Sequence, residues 1–525
     1  MSTSHDQLHG DLMLGQAISR FKEEFNCDPT VSVFAPGRVN LIGEHVDYVQ
    51  GYVMPFCLPF RTIIVGGKAP SSAAGVSTVV TCNICGDESR TSFTVDDTLS
   101  KGQPSWANYV KGTIAQYLED LPAGCAFNCA IQSDVPIGAG LSSSAALEVA
   151  TATFLEQLYS IESTDNLKSG VKKALRCQQA EHVFADMPCG IMDQYVSALG
   201  QADNLLLLDC RTHSFELITM GGNPADKPVL LVCNSNVKHS LSGSEYPDRV
   251  RQCAEALACI QRRHPGVQSL RDATLEQLQE ANSAGHRSEV PTDPQLLQAM
   301  KRKQKRSTND LREDEEREAE SGLSRAAYTR AHHCITENIR TLEAADAILA
   351  GDYETVGQAM TASHRSLQFD FEVSCAELDL LVRVALQVEG VYGSRMTGGG
   401  FGGCTVTLVK AEAAEMLVQV LLHNYPLCEC HIVQPSAGAG RLDLASAVPV
   451  DPGASRYGDD DADGDNYGED DDVDSEASYA DTHWDSWVPA PEDVFYFFSE
   501  SKWATTTAAV IAVAIVGGIV LARRR

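Results

Sequence analysis

The first 280 residues alternate short apolar runs with amphipathic stretches, the pattern of a compact α/β or α+β body. Val31, Val33 and Ala35 alternate with polar or smaller residues ahead of Pro36-Gly37, which predicts a strand ending in a turn. Phe127, Cys129 and Ile131 alternate in the same way. Leu205–Leu208 and Val229–Val232 are unbroken apolar runs, as expected of strands covered on both faces. Helical spacing lies between them: Leu147, Phe154 and Leu158 share one face, and Leu175, Val183 and Phe184 mark another. From Ala326 to about Gly440 the chain again has a globular pattern.

Three segments break this pattern. Residues 283–324 hold a basic hexamer, Lys301 to Arg306, followed by an acidic run from Glu313 to Glu320. A basic hexamer can be a localisation or nucleic-acid patch, but opposite charges so close together also suit a flexible, self-screened surface insertion, the reading favoured here. Residues 446–500 form an acidic linker; Asp451 to Asp493 is rich in Gly, Asp and Ser and too poor in apolar residues to pack, which predicts disorder. Trp503 to Ala522 is twenty residues without a charge, closed by Arg523, Arg524 and Arg525. As a helix it would span about 30 Å, a bilayer core. Residues 503–522 are therefore expected to be a transmembrane tail anchor, with Trp503 and the arginines at the interface. A buried core helix is the alternative, and the acidic linker before it argues against that. Ala514, Gly518 and Ala522 form a small-xxx-small row that could pair helices.

Composition sharpens the division. The 525 residues carry 71 acidic and 41 basic side chains, a net charge of −30. That excess argues against nucleic acid as a partner, because neutralising phosphates needs clustered Lys and Arg. It is unevenly placed: residues 451–500 carry 17 acidic side chains against one Arg, and with Lys502 and the three terminal arginines counted as well, residues 1–450 are left with −18. The 17 cysteines have no framework spacing and read as reduced thiols of a cytosolic protein. Cys82 and Cys85 have the C-x-x-C form but no second pair to complete a zinc site. Met1 to Gln16 contains no apolar run, so no signal peptide is expected.

Three motifs carry candidate chemistry. Gly37-Arg38-Val39-Asn40-Leu41-Ile42-Gly43-Glu44-His45-Val46-Asp47-Tyr48 concentrates Arg, Glu, His and Asp in one turn-rich stretch after a strand. Such groups converging on one spot suit the hydroxyls of a sugar; a solvated loop is the other reading. Pro136-Ile137-Gly138-Ala139-Gly140-Leu141-Ser142-Ser143-Ser144-Ala145 follows a strand and opens a helix near Ala145. Its glycines allow close backbone approach, and a helix N-terminus offers free N–H groups to phosphate. It is neither a Walker A loop nor a dinucleotide fingerprint. Met396-Thr397-Gly398-Gly399-Gly400-Phe401-Gly402-Gly403-Cys404 leads into the strand Thr405–Val409. Five glycines in six residues exceed what a turn needs, and point to a backbone packed against a ligand or another backbone, or else to a hinge.

Together and in this order the motifs resemble those of the GHMP sugar-kinase superfamily and, within it, the galactokinase family. The likeness continues through Cys177 to His182, Pro188 to Gln194, Asn234-Ser235-Asn236, Ser244 to Pro247 and Gly393-Ser394-Arg395. It covers roughly residues 15–445 apart from the insertion, and its wording is animal-type. The resemblance implies an α+β two-domain fold, residues 1–215 and 216–445, with the active site in the cleft between the domains. It implies galactose bound by Arg38, Glu44, His45, Asp47, Gly190, Asp193 and Tyr246. Gly138, Gly140, Ser142 and Ser143 would hold the ATP phosphates, Trp106 would lie near the adenine, and Ser142 and Glu181 would complete a Mg²⁺ shell. The implied reaction moves the γ-phosphoryl group of ATP to the anomeric hydroxyl, with Asp193 taking or orienting its proton and Arg38 stabilising charge. Some relatives bind sugar and ATP as sensors without catalysis; they lack the Ser-Ala pair that stands here as Ser144-Ala145. A dead kinase fold serving as a membrane scaffold is a third possibility, disfavoured because each catalytic position is filled. The catalytic body is expected to be a monomer facing the cytosol, tethered by its tail to the outer mitochondrial membrane, or to the endoplasmic reticulum or peroxisome.

Overall fold

In this computed structural model the described residues are 2–70, 75–161, 166–222, 227–237, 245–282 and 323–449. The charged insertion apart from Leu323 and Ser324, the acidic linker from residue 450 onward and the expected anchor at 503–522 lie outside them. Among the described residues no helix is long and apolar enough to cross a membrane. The described residues all belong to one compact unit.

Among the described residues thirteen strands make three sheets. The first has β1 (Val31–Asn40), β3 (Pro55–Lys68), β4 (Val76–Thr81), β5 (Arg90–Thr94), β6 (Phe127–Ser133) and β13 (Gly440–Arg441), in the order β13-β1-β3-β6-β4-β5. The second joins β2 (Tyr52–Val53), β7 (Asn204–Asp209) and β8 (Ser214–Thr219). The third runs β10-β11-β9-β12, from β9 (Val229–Asn234), β10 (Val391–Thr397), β11 (Cys404–Val409) and β12 (Glu429–Val433). Strand β8 spans residues 215 and 216, where the domain boundary is expected, and β13 brings the end of the body back to β1. Of the helices, α1 (Ser2–Phe25), α2 (Ala107–Ala115), α3 (Ser143–Tyr159), α4 (Asn166–Phe184), α5 (Met192–Leu199), α6 (Glu245–Gln261) and α7 (Leu275–Asn282) come before the insertion. After it come α8 (Arg325–Ala350), α9 (Tyr353–Ser366), α10 (Ala376–Ala385) and α11 (Ala414–Asn424).

The apolar runs behave largely as their patterns predict. Leu205, Leu206 and Leu208 on β7 and Leu230 to Val232 on β9 are buried, and Phe127, Cys129 and Ile131 share a core with Phe154 and Leu158. Two expectations are corrected. The first strand does not end in a turn at Pro36-Gly37 but continues to Asn40, with a shift of register against β3 between Pro36 and Arg38. A bulge of this kind re-aims a side chain, and here it delivers Arg38 to the cleft. On α4, Leu175 and Val183 are exposed and only Phe184 of the expected face is buried; the covered face is Ala174, Cys177 and Ala180. Small residues let α4 lie close to its neighbours, so its packing face is the less hydrophobic one and a hydrophobicity pattern misplaces it. Helix α8 starts where Ser324 accepts a hydrogen bond from Ala327 N and stops at Gly351, whose φ is 74°.

Candidate active site

All thirteen residues named as site candidates line one cleft of about 560 Å³. Its floor is Asp193, in the first turn of α5. Arg38 reaches it from the β1 bulge with Nε donating to Oδ1 at 2.7 Å and Nη2 to Oδ2 at 2.8 Å. Its Nη1 donates to Gly140 O at 2.6 Å, and Ser142 Oγ donates to Asp193 Oδ2 at 2.5 Å. A carboxylate offers about four lone-pair sites, so these three bonds leave about one for a ligand hydroxyl. Arg38 was expected to act on a transferring group; three of its roughly five N–H donors are instead committed to Asp193 and Gly140. Burial alone would lower the Arg38 pKa, but the Asp193, Glu44 and Asp47 carboxylates outweigh it and hold it above the ordinary value.

The segment from Leu41 to Tyr48 forms one wall. Glu44 is 2% exposed and pairs with Arg395 Nη2 at 3.0 Å, while Asn40 Nδ2 donates to it at 3.3 Å. Burial pushes its carboxyl up to about 7, against the pull of Arg395 and Arg38. His45 has both ring nitrogens engaged, Nε2 with Gly399 O and Nδ1 with Tyr48 Oη, each at 3.2 Å. Burial, then the neighbouring His333, lowers it to about 3, so the ring is neutral near pH 7. Its centroid lies 5.6 Å from the Tyr246 ring, which closes this end of the cleft. Asp47 accepts from Tyr48 N at 3.0 Å, and burial together with Asp193 raises it to about 6. Gly190 acts through the side chain it lacks: a Cβ there would lie 1.7 Å from Asp47 Oδ2.

The opposite wall is the loop ahead of α3. Gly138, Gly140 and Ser142 all have positive φ, at 76°, 72° and 61°, which turns the chain so that the first N–H groups of the 17-residue helix face the cleft. Ser143 stands at the helix start, and Trp106 caps the far side with its Nε1 donating to Glu88 O at 2.9 Å. The glycine loop Gly398–Gly403 packs backbone to backbone against this loop: a Cβ on Gly398 would meet Gly140 O at 2.7 Å, and one on Gly403 would meet Ala139 O at 2.8 Å. Of the readings of those glycines, backbone against backbone is the one found.

Beneath the loop lies a carboxylate cluster. Glu181 is 7% exposed and accepts from Gln194 Nε2 at 2.6 Å, an amide it shares with buried Glu148 at 3.1 Å. Burial, then Asp193, raises Glu181 to about 7, and burial with Glu181 raises Glu148 well above the carboxylate range. Glu148 Oε1 has no protein partner. Ser142 gives its proton to Asp193 and keeps its lone pairs. Hydroxyl and carboxylate oxygens gathered here without a matching cation are a donor set that fits a hard divalent ion.

The motifs did not reveal the residues that hold these walls. Glu337 on α8 accepts from Gly43 N at 3.0 Å and Glu44 N at 3.2 Å, and His333 Nε2 donates to Glu44 O at 3.0 Å. Arg395, on β10 in the segment Gly393-Ser394-Arg395, is the third. It is fully buried, and its Nη1 donates to Asn40 O at 3.0 Å. At the C-x-x-C pair, Cys85 is exposed and burial pushes the Cys82 thiol up to about 12, the wrong direction for a reactive thiolate.

Comparison with known proteins follows the same lines. The galactokinase galactose-binding signature matches residues 19–68, the GHMP kinase N-terminal domain residues 108–201 and the GHMP kinase C-terminal domain residues 344–426. The chain is 44% identical to Homo sapiens galactokinase over 417 residues, 79% of this chain and 92% of that protein. It is 42% identical to Canis lupus familiaris galactokinase over 429 residues, 81% of this chain and 95% of that one. The crystal structure of Lactococcus lactis galactokinase complexed with galactose superposes with a TM-score of 0.68 at 27% identity, over 81% of this chain and 98% of that one.

Two outcomes test the geometry. Gly190→Ala forces the Asp47 carboxylate aside and is expected to weaken galactose binding about tenfold to a hundredfold, read by calorimetry; unchanged affinity rules the contact out. Glu44 has a folded value of about 7 against an ordinary 4.5, so the stability it confers is full below pH 4.5 and is lost as pH rises through about 7. Glu44→Gln escapes that loss. Its stability relative to the unmodified chain therefore rises between pH 4.5 and 8, measured as urea midpoints; a difference independent of pH contradicts the assignment.

Proposed function

The chain belongs to the galactokinase family, and from that premise we propose that it transfers the γ-phosphoryl group of ATP to the anomeric C1 hydroxyl of galactose. The observation that carries this reading is Asp193, held by Arg38 and Ser142 between the signature loop on one side and the α3 loop on the other. Such transfers depend mainly on positioning and on stabilising charge rather than on covalent chemistry by the protein.

The sugar lies against Glu44, His45, Asp47, Gly190 and Tyr246, with its C1 hydroxyl on the remaining lone pair of Asp193. Neutral His45 and the shielded carboxyl of Glu44 shape this wall, and Asp47 accepts a hydroxyl proton. Asp193 orients the C1 hydroxyl and accepts its proton as the oxygen attacks phosphorus, while Arg38 keeps the carboxylate in place. The ATP phosphates lie on Gly138, Gly140, Ser142 and Ser143 at the N-terminus of α3, with the adenine toward Trp106. Ser142 and Glu181 would hold Mg²⁺, which when bound neutralises phosphate charge. The runner-up, a galactose and ATP sensor without turnover, differs by one measurement: galactose 1-phosphate formed from ATP, Mg²⁺ and galactose by the purified protein excludes it, and binding without product establishes it.

Asp193→Asn keeps the shape of the side chain and removes its capacity to take a proton. It is expected to lower kcat about 10²- to 10⁴-fold, with galactose affinity little changed and the unfolding midpoint lowered, because buried Arg38 loses the charge of its partner. Turnover at the unmodified rate would overturn the role. We also propose, from sequence alone, that residues 503–522 anchor the chain with its catalytic body in the cytosol, at the outer mitochondrial membrane in preference to the endoplasmic reticulum or peroxisome. Fractionating cells that express the chain with and without residues 501–525 tests this, and an equal soluble pool for both excludes it.

A further inference from the structure

Away from the cleft, Cys233, Cys428 and Cys430 bring three sulfur atoms within 4.8 Å of one another. Cys233 lies on β9 directly opposite Cys430 on β12, and Cys428, two residues earlier, points to the same side of the sheet. Cys430 Sγ is 3.3 Å from Cys233 Sγ and 3.9 Å from Cys428 Sγ. Cys233 and Cys428 are buried under α10 and α11 among Leu381, Leu417 and Leu421, whereas Cys430, on the edge strand, is half-buried. With metal–sulfur bonds of about 2.3 Å, thiolates around one tetrahedral ion stand about 3.8 Å apart. We propose that Cys233, Cys428 and Cys430 form a three-thiolate site for a soft d¹⁰ cation, Zn²⁺ or Cu⁺, entered from the β12 edge.

The donor set is all sulfur, which selects soft ions over Mg²⁺ or Ca²⁺. Three protein ligands complete a trigonal Cu⁺ site, or leave a fourth position on Zn²⁺ for water or an exogenous thiol on the side of half-buried Cys430. Each thiol gives up its proton to solvent as it ligates, and nothing is oxidised or reduced. A cross-strand disulfide between Cys233 and Cys430 is the competing chemistry. It uses two of the sulfurs and leaves the approach of Cys428 unexplained.

The site also connects to the cleft. Strand β9 continues from Cys233 into Asn234-Ser235-Asn236, where Ser235 N and Oγ donate to Gly403 O at 2.9 and 2.7 Å. Asn236 Nδ2 donates to Leu427 O at 2.8 Å, next to Cys428. A cation here ties the β9–β12 end to the glycine loop that supports the α3 loop.

The experiment uses the full chain, reduced and stripped by chelator under nitrogen, and titrated with Cd²⁺ as a spectroscopic probe, then with Zn²⁺ and Cu⁺ in competition. Sulfur-to-metal charge-transfer absorption should saturate at one equivalent. Cys430→Ser should weaken that equivalent about a hundredfold or more, and Cys82→Ser should leave it unchanged. Cys428→Ser serves as the second ligand variant, with circular dichroism showing that each variant folds. Three outcomes overturn the site: no tight equivalent in the reduced chain, one unaffected by loss of Cys428 or Cys430, or recovery of the freshly isolated chain as a Cys233–Cys430 disulfide that retains no metal.

Discussion

Burying the stretch from Leu41 to Tyr48 removes water from polar groups that this stretch cannot satisfy itself, and the rest of the site depends on how that is solved. Gly43 N and Glu44 N both need an acceptor, Glu44 O needs a donor and the Glu44 carboxyl needs a cation. The partners are Glu337, His333 and Arg395, all about three hundred residues later in the chain. An unpaired buried charge costs several kcal/mol, roughly 3–5 when one partner of a buried pair is lost. The sugar-side wall is thus stable only when α8 and β10 are already docked against it. Glu337 shows how tightly the demand is met. Burial alone would raise it, but Arg340, His333 and Arg395 hold it down at about 2, so it is a fixed anion for two backbone N–H groups.

The opposite wall is built on steric closeness instead. The glycine loop and the α3 loop approach at distances that leave no space for Cβ atoms, and Arg38 binds Gly140 O of the α3 loop and Asp193 of α5 at once. One guanidinium therefore sets the position of the Asp193 carboxylate relative to the Gly140 backbone. That arrangement is demanding because a shift of an ångström in the α3 loop would break the Arg38–Gly140 and Ser142–Asp193 hydrogen bonds together. It explains why the β1 bulge matters. A regular strand would turn Arg38 back into the sheet, whereas the shift of register between Pro36 and Arg38 frees it for the cleft.

What could be read from the sequence was local chemistry. The three motifs are contiguous runs whose composition is unusual, and the residues they contain do meet in one cleft. The long-range partners could not be read in this way. Glu337 and His333 sit in a helix among other charged residues, with nothing in their spacing to separate a buried carboxylate from a solvated one. Cysteine spacing misled for a related reason. The adjacent pair Cys82 and Cys85 attracts notice, yet Cys85 is exposed, while the three thiols that converge are 197 residues apart at the widest pairing. The face of α4 was misread because close packing there uses Ala174, Cys177 and Ala180, and hydrophobicity ranks Leu175 and Val183 above them. Strand pairing and helix contact decide these cases, and a linear pattern does not contain them.

The electrostatics of the cleft carry one further consequence. A protein that takes up a nucleoside triphosphate would be expected to present free positive charge, but this cleft is mainly carboxylate: Glu44, Asp47, Glu181 and Asp193 line it, with Glu148 directly behind. Against them Arg38 spends most of its donors on Asp193 and Gly140, and Arg395 is closed off under Glu44. The N–H groups at the start of α3 supply only about half an elementary charge. A polyphosphate entering here meets little positive potential from the protein alone; burial first, and then the neighbouring Asp193 carboxylate, raises Glu181 to about 7 and Asp47 to about 6. A nucleotide that arrives with a divalent cation already bound would meet less repulsion from these carboxylates than a free one.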